Sequence, residues 1–353
     1  MKSRKFKHAV ALCLTCILSA ALLAGCGPSG NTSKGASSSG NSASSVGNSS
    51  QPVSTQYPDA PISCIVPYAA GGGSDTLTRT IMKVIQLPNN GQIVAVNVEG
   101  ASGYTGCLQA AKSDPDGYTI LAHNPMDVVG YTLSQSTDEA LYQDMALICT
   151  VVDDYGVILT NKDAGFKSLD EVAAYAKENP GAINLGTTGV NSINFADTLR
   201  ILRALDIEKD ITVVPYDSGN TATTALLGNQ IQLLTMSVAD TKSYVESGDF
   251  TALVVIGDHR ASALPDTPCT VDLGMNDITT TKPRGYYAPA GTPQEIIDIL
   301  ADAMEEATKT EDFQAMVETY GWEINFKRAD EIQPQIEQWA KDLMPVFEEI
   351  MNG

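Results

Sequence analysis

The residues best suited to chemistry lie in two glycine-bearing loops. The first, Val66-Pro67-Tyr68-Ala69-Ala70-Gly71-Gly72-Gly73-Ser74-Asp75, joins a β-branched run at Ile62 to Val66 to a helical pattern with Leu77, Ile81, Val84 and Ile85 on one face. The second, Gly186-Thr187-Thr188-Gly189-Val190-Asn191-Ser192, joins Ile183 to Leu185 to a helix with Phe195, Leu199 and Leu202 inward. Glycine lets a backbone approach a ligand closely, and the first N–H groups of a helix lack intrahelical partners. Such loops can therefore receive an anion on neutral donors. The first fits equally a tight strand-to-helix turn capped by Ser74 or Asp75. No lysine or arginine lies in either loop, so an anion held there would be bound without any bond being activated.

Groups that catalyse are sparse. The sequence has no G-x-x-x-x-G-K-[ST] for a nucleotide triphosphate, no G-x-S-x-G elbow and no H-E-x-x-H zinc helix. His8 falls in the leader, and His123 and His259 read as structural or surface residues, with His259 beside Arg260 placed on the surface. The neighbouring acids Asp114/Asp116 and Asp153/Asp154 sit at turns or strand ends and read as solvated or capping groups. Cys13 and Cys16 lie in an apolar leader, and Cys64, Cys107, Cys149 and Cys269 have no metal-type spacing. Buried free thiols are the expectation for these four, with one or two disulfides as the alternative. No catalytic residue, metal or cofactor is expected.

The elements that must position the loops follow a repeating plan. Residues 1–25 carry Lys2, Arg4, Lys5 and Lys7 ahead of an apolar stretch from Ala9 to Ala24, which reads as a secretion signal. Its end, Leu23-Ala24-Gly25-Cys26, has the pattern of a bacterial lipobox, with Cys26 as the lipid-modified residue. Residues 26–56 are almost entirely Ser, Gly, Asn and Ala, a tether that cannot fold. Loss of the leader's four positive charges takes the formal charge from −20 to −24, which excludes nucleic acid as a partner. Beyond the tether, strand, glycine loop and helix recur at Ile93 to Val96 with Asn97 to Gly106, and a third strand follows at Tyr118 to Ala122. A second series opens at the capping box Ser168-Leu169-Asp170-Glu171, and Thr292-Pro293-Gln294-Glu295 caps a late helix. Alternating strands and helices predict parallel sheets with helices on both faces, and ligands at the carboxyl ends of the strands.

At these residues the chain resembles the extracytoplasmic solute receptors of tripartite tricarboxylate transporters, the Bug-type or TctC-like family. The resemblance runs from about Tyr57 to Met351 and rests on the first glycine loop, Asn97 to Gly106 and Pro115-Asp116-Gly117-Tyr118-Thr119. Val214-Pro215-Tyr216, Gly228-Asn229-Gln230-Ile231, Leu264-Pro265-Asp266-Thr267-Pro268 and Ala288-Pro289-Ala290-Gly291-Thr292-Pro293 follow in the family's order. Departures occur at Asn194, where a histidine is common, at Asp217-Ser218-Gly219 in place of Lys-Gly, and around Gly285-Tyr286, where a tryptophan is common.

The resemblance implies an α/β, two-lobed periplasmic-binding-protein type II (Venus-flytrap) fold, each lobe a sheet flanked by helices. Lobe 1 is expected to span 57–154 plus 270–353, and lobe 2 to span 155–269, with hinges near Asp154 and Thr270. Ligand contacts are expected from Tyr68, Ala69, Gly71, Gly72, Gly73, Ser74 and Asp75 in lobe 1, with Asp75 orienting the loop. In lobe 2 they are expected from Thr187, Thr188, Asn191, Ser192, Asn194 and Tyr216. The implied function is capture of a small organic anion, a carboxylate, for the large and small integral membrane subunits of a transporter. The protein would stand outside the cytoplasmic membrane on its lipid anchor. A secreted hydrolase-like enzyme, or a sensor presenting its ligand to a signalling partner, are the alternatives.

Overall fold

The computed structural model describes residues 57–134, 144–190 and 192–352. The leader, Cys26, the tether and Asn191 lie outside the described residues.

The chain alternates strand and helix from its first described residues: β1 (Ile62–Val66), α1 (Gly73–Val84), β2 (Ile93–Asn97), α2 (Tyr104–Ala111), β3 (Thr119–His123), α3 (Pro125–Ser134) and β4 (Met145–Asp154). A second series follows: β5 (Gly156–Asn161), α4 (Leu169–Glu178), β6 (Ile183–Thr188), α5 (Ile193–Ala204), β7 (Ile211–Tyr216), α6 (Gly219–Leu227), β8 (Leu233–Ser237), α7 (Val238–Glu246) and β9 (Phe250–Ile256). The chain then returns through β10 (Lys282–Pro289), α8 (Gln294–Thr308), α9 (Glu311–Tyr320), β11 (Glu323–Arg328) and α10 (Ala329–Asn352).

The strands form two sheets, ordered β11-β4-β10-β3-β1-β2 and β7-β6-β8-β5-β9. Both are mixed rather than parallel throughout. Within the first, β1 runs parallel to β2 and β3, while β10 and β11 pair antiparallel with their neighbours. In the second, β6 runs parallel to β7 and β8, and β5 is antiparallel to β8 and β9. The departure has a topological cause: β10, returning from the second sheet, inserts antiparallel between β4 and β3, and β5, entered directly from β4 without a helix, inserts antiparallel between β8 and β9.

Apolar clusters cover both faces of each sheet, the first including Ile62, Val66, Ile120 and Leu300, and the second including Ile158, Leu185, Val254 and Leu233. The four cysteines Cys64, Cys107, Cys149 and Cys269 are buried and free. Local expectations change in detail. Asp154 is fully buried and ion-paired with Arg284, so it is not solvated, while the capping alternative agrees with its Oδ1 accepting from Ala239 N in the first turn of α7. Thr292 does not cap α8, because its hydroxyl donates to the Pro289 carbonyl and the cap position falls on Pro293. The return crossing also comes after Thr270, whose N–H still donates to Val255 of β9 and whose hydroxyl donates to Gly257. The chain joins the first sheet only at Lys282.

Candidate functional site

Three parallel strands in each sheet end on the same side, and each feeds a helix. In the first sheet β1, β2 and β3 lead into α1, α2 and α3; in the second β6, β7 and β8 lead into α5, α6 and α7. Residues at all six helix starts line one cleft of about 1030 Å³, among them Gly73, Gly103, Asp127, Ile193, Gly219 and Asp240. Six helix N-termini around one space turn the positive ends of their dipoles toward it, which favours negative charge there.

Of the residues singled out by sequence, Tyr68, Ala69, Gly71, Gly72, Gly73, Ser74, Thr188, Ser192 and Asn194 line this cleft. Asp75 stands behind it. Its carboxylate accepts from Gly71 N and Arg79 Nε at 2.9 Å and from Asn97 Nδ2 at 2.9 Å, while Asn97 Nδ2 also donates to the Tyr68 carbonyl. Burial opposes the Asp75 charge, but the bonds from Arg79, Gly71 and Asn97 outweigh it and lower its pKa. The carboxylate thus fixes the loop's shape, while the helix cap falls on Gly72 without a side-chain bond. Thr187 and Tyr216 do not line the cleft: Thr187 is fully buried with no partner for its hydroxyl among the described residues, and Tyr216 packs against the core beside β6. Asn191 is outside the described residues.

The three glycines of the first loop differ in what they do. Gly71 has φ of +85°, a conformation other residues adopt only with strain. Gly72 is extended with room for a side chain, since a Cβ there would sit 3.5 Å from the Ala69 carbonyl. At Gly73 a Cβ would lie 2.9 Å from both Arg284 and Asp240, so this glycine admits the two side chains to the loop.

A further glycine loop, after β2, also contributes. Gly100, Ala101, Ser102 and Gly103 all have positive φ, and Ser102 reaches Gly189 across the cleft, where a Cβ would come within 2.5 Å of its hydroxyl. A buried chain of hydrogen bonds holds this strained turn. His123 Nδ1 accepts from Asn124 N at 2.8 Å, which leaves the proton on Nε2 to donate to Tyr131 Oη at 3.2 Å, and Tyr131 donates to the Ser102 carbonyl. Burial pulls the His123 pKa down to about 4, with Arg284 acting in the same sense and Asp127 against it, so the ring is neutral at pH 7.

Two cations stand in the cleft, on a strand that the sequence reading passed over. Lys282 and Arg284 lie two apart on β10 and so share a face. Arg284 pairs with Asp154, donates to Ser74 Oγ at 3.0 Å and approaches Asp240 at 4.0 Å. Burial disfavours its charge, but Asp154 and Asp240 outweigh this and raise its pKa. Lys282 is 4% exposed and donates to Asn194 Oδ1. Burial lowers its pKa, opposed by Asp154, Asp127 and Asp197. The cleft is therefore not lined by neutral donors alone. Its charges lie far from the glycine loops in sequence, though the i, i+2 spacing of Lys282 and Arg284 in an otherwise apolar strand is a legible signal.

Two sheets joined by crossing strands, with helix starts from both around a shared cleft, are the architecture of two-lobed solute-binding proteins. The model of the tripartite tricarboxylate transporter family receptor, TctC, matches residues 82–351, and the chain belongs to that family. BugT of Bordetella pertussis is 29% identical over 273 residues, which cover 76% of this chain and 82% of BugT. The solved structure of the periplasmic binding protein BugD has 26% identity and a TM-score of 0.75, covering 83% of this chain and 98% of BugD. That of R. palustris Rpa4515 with adipate has 22% identity and a TM-score of 0.76, covering 83% and 97%. Among the described residues no helix is long and apolar enough to cross a membrane, and no group of His, Cys, Asp and Glu could hold a metal ion.

Proposed function

We propose that this chain is an extracytoplasmic, lipid-anchored receptor that captures a small organic anion, a carboxylate, and delivers it to the two integral subunits of a tripartite transporter. The observation that carries the reading is the convergence of six helix starts, three from each sheet, on one cleft containing Lys282 and Arg284. The adipate held by a structural neighbour supports the ligand class. The family supports the partner, and the Leu23-Ala24-Gly25-Cys26 pattern supports the anchor. The moving bodies are residues 57–154 with the C-terminal segment and residues 155–269 with the chain up to Ile278, hinged beside Asp154 and ahead of Lys282. Binding without catalysis agrees with His123, both of whose ring nitrogens are engaged within the protein.

A thermal-shift screen against mono-, di- and tricarboxylates, amino acids and sugars tests the ligand class. Stabilisation by a carboxylate is expected; stabilisation by a neutral sugar alone would reject the anion. Cys26→Ala should release the protein from the membrane fraction, and full retention would argue against the lipid anchor.

A further inference from the structure

We infer that the ligand's anionic group is seated on Lys282 and the Thr188 hydroxyl, which the Asn194 amide holds side by side. This placement rests on the anion-binding reading above and specifies where in the cleft the charge goes.

The helix starts are the obvious seats, but the two belonging to the glycine loops singled out in the sequence are already taken. Gly73 N, at the start of α1, donates to Asp240 Oδ1 at 3.1 Å, and Ile193 N, at the start of α5, donates to Asp127 Oδ1 at 3.1 Å. Gly71 N is spent on Asp75. The Ser192 hydroxyl gives its hydrogen to the carbonyls of the preceding turn and accepts from Phe195 N. Arg284 is matched by Asp154 and Ser74.

Lys282 differs. Its ammonium is almost fully buried, yet its one hydrogen-bond partner among the described residues is the neutral Asn194 Oδ1, and it forms no ion pair there. An ammonium carries three donors, so two remain. The other end of the same amide, Asn194 Nδ2, donates to Thr188 Oγ1 at 3.1 Å, which leaves the threonine hydrogen free to donate. Lys282, Asn194 and Thr188 all line the cleft. Asp154, Asp127 and Asp197 favour the Lys282 charge without being bonded to it, so two donors are left for an anion, and a carboxylate offers one oxygen to the ammonium and one to the hydroxyl.

The test is calorimetric titration of the chain with acetate, adipate and citrate, using the tightest binder as probe. Asn194→Asp keeps the volume but places a carboxylate on both donors, and should weaken the probe about 30-fold or more without lowering the unliganded melting temperature. Lys282→Met should weaken it about 100-fold, as for truncation of a buried charged partner. In the unaltered protein, saturating probe should shift the 15Nζ resonance of Lys282 and slow its exchange. A folded Asn194→Asp chain that binds as tightly as the parent, or an unmoved Lys282 resonance, would overturn this seat and leave the receptor standing. If the unaltered chain bound no carboxylate, both readings would fall.

Discussion

Asp240 accepts a hydrogen bond from the backbone N–H of Gly73 at 3.1 Å, so a carboxylate of the second half caps a helix of the first. Asp127 of the first half caps α5 of the second in the same way through Ile193 N. These reciprocal contacts draw the halves together, because each places a negative charge on the positive end of a helix dipole. They also occupy donors that a bound anion would otherwise claim.

Removing both carboxylates should therefore favour the open form. At about 1 kcal/mol for each contact, Asp127→Ala with Asp240→Ala shifts the open-to-closed ratio about 30-fold. Small-angle scattering of the unliganded double variant should give a larger radius of gyration than the parent. An unchanged scattering curve would mean that the two contacts do not hold the halves.

The three glycines of the first loop should separate by effect. Gly71→Ala forces a Cβ into positive φ and should cost about 1 to 2 kcal/mol of stability. Gly72→Ala meets only ordinary contact and should stay within about 0.5 kcal/mol of the parent. Gly73→Ala crowds Arg284 and Asp240, so it should weaken ligand binding more than folding. Urea melts and titrations of the three variants check the ordering, and equal losses at all three would contradict it.

A third expectation concerns pH. His259 Nε2 lies 3.2 Å from Glu323 on β11, and its Nδ1 lies 2.6 Å from Asp258. The bond to Asp258 raises the His259 pKa above 6.5, burial opposes, and Glu323 adds to the rise. A histidine raised in the folded state gives its full stabilisation below its unfolded pKa and loses it as pH rises through the folded one. The ring is half exposed, so screening limits the gain to about 0.5 kcal/mol. Relative to His259→Gln, the parent should be more stable at about pH 5.5, with the difference gone by about pH 9. A difference that grew with pH would contradict this.

How much was legible depended on range. The first glycine loop, the helix faces and the capping box at Ser168 are set by neighbours in sequence, and they stand where the spacing put them. Most of the candidate residues of both loops reach one cleft. What the sequence concealed was pairing over long separations. Lys282 sits 88 residues from its partner Asn194, Arg284 sits 130 from Asp154, and Asp240 sits 167 from Gly73. No local pattern marks such pairs. The same reason hid the ion pair of Asp154 with Arg284, whereas the structural reading of His123 stands. The mixed sheets follow from strands that cross between halves, which periodicity does not record.

The most direct test of anion capture compares an acid with its uncharged amide. Calorimetric titration of the unliganded chain with adipate and adipamide, and with citrate and its triamide, isolates the charge from the shape of the ligand. At least one acid should bind with one-to-one stoichiometry, and its amide should bind at least about 100-fold more weakly, the scale expected for loss of a buried charge pair. Equal affinity for acid and amide, or binding of a neutral sugar in place of either, would contradict an anion receptor.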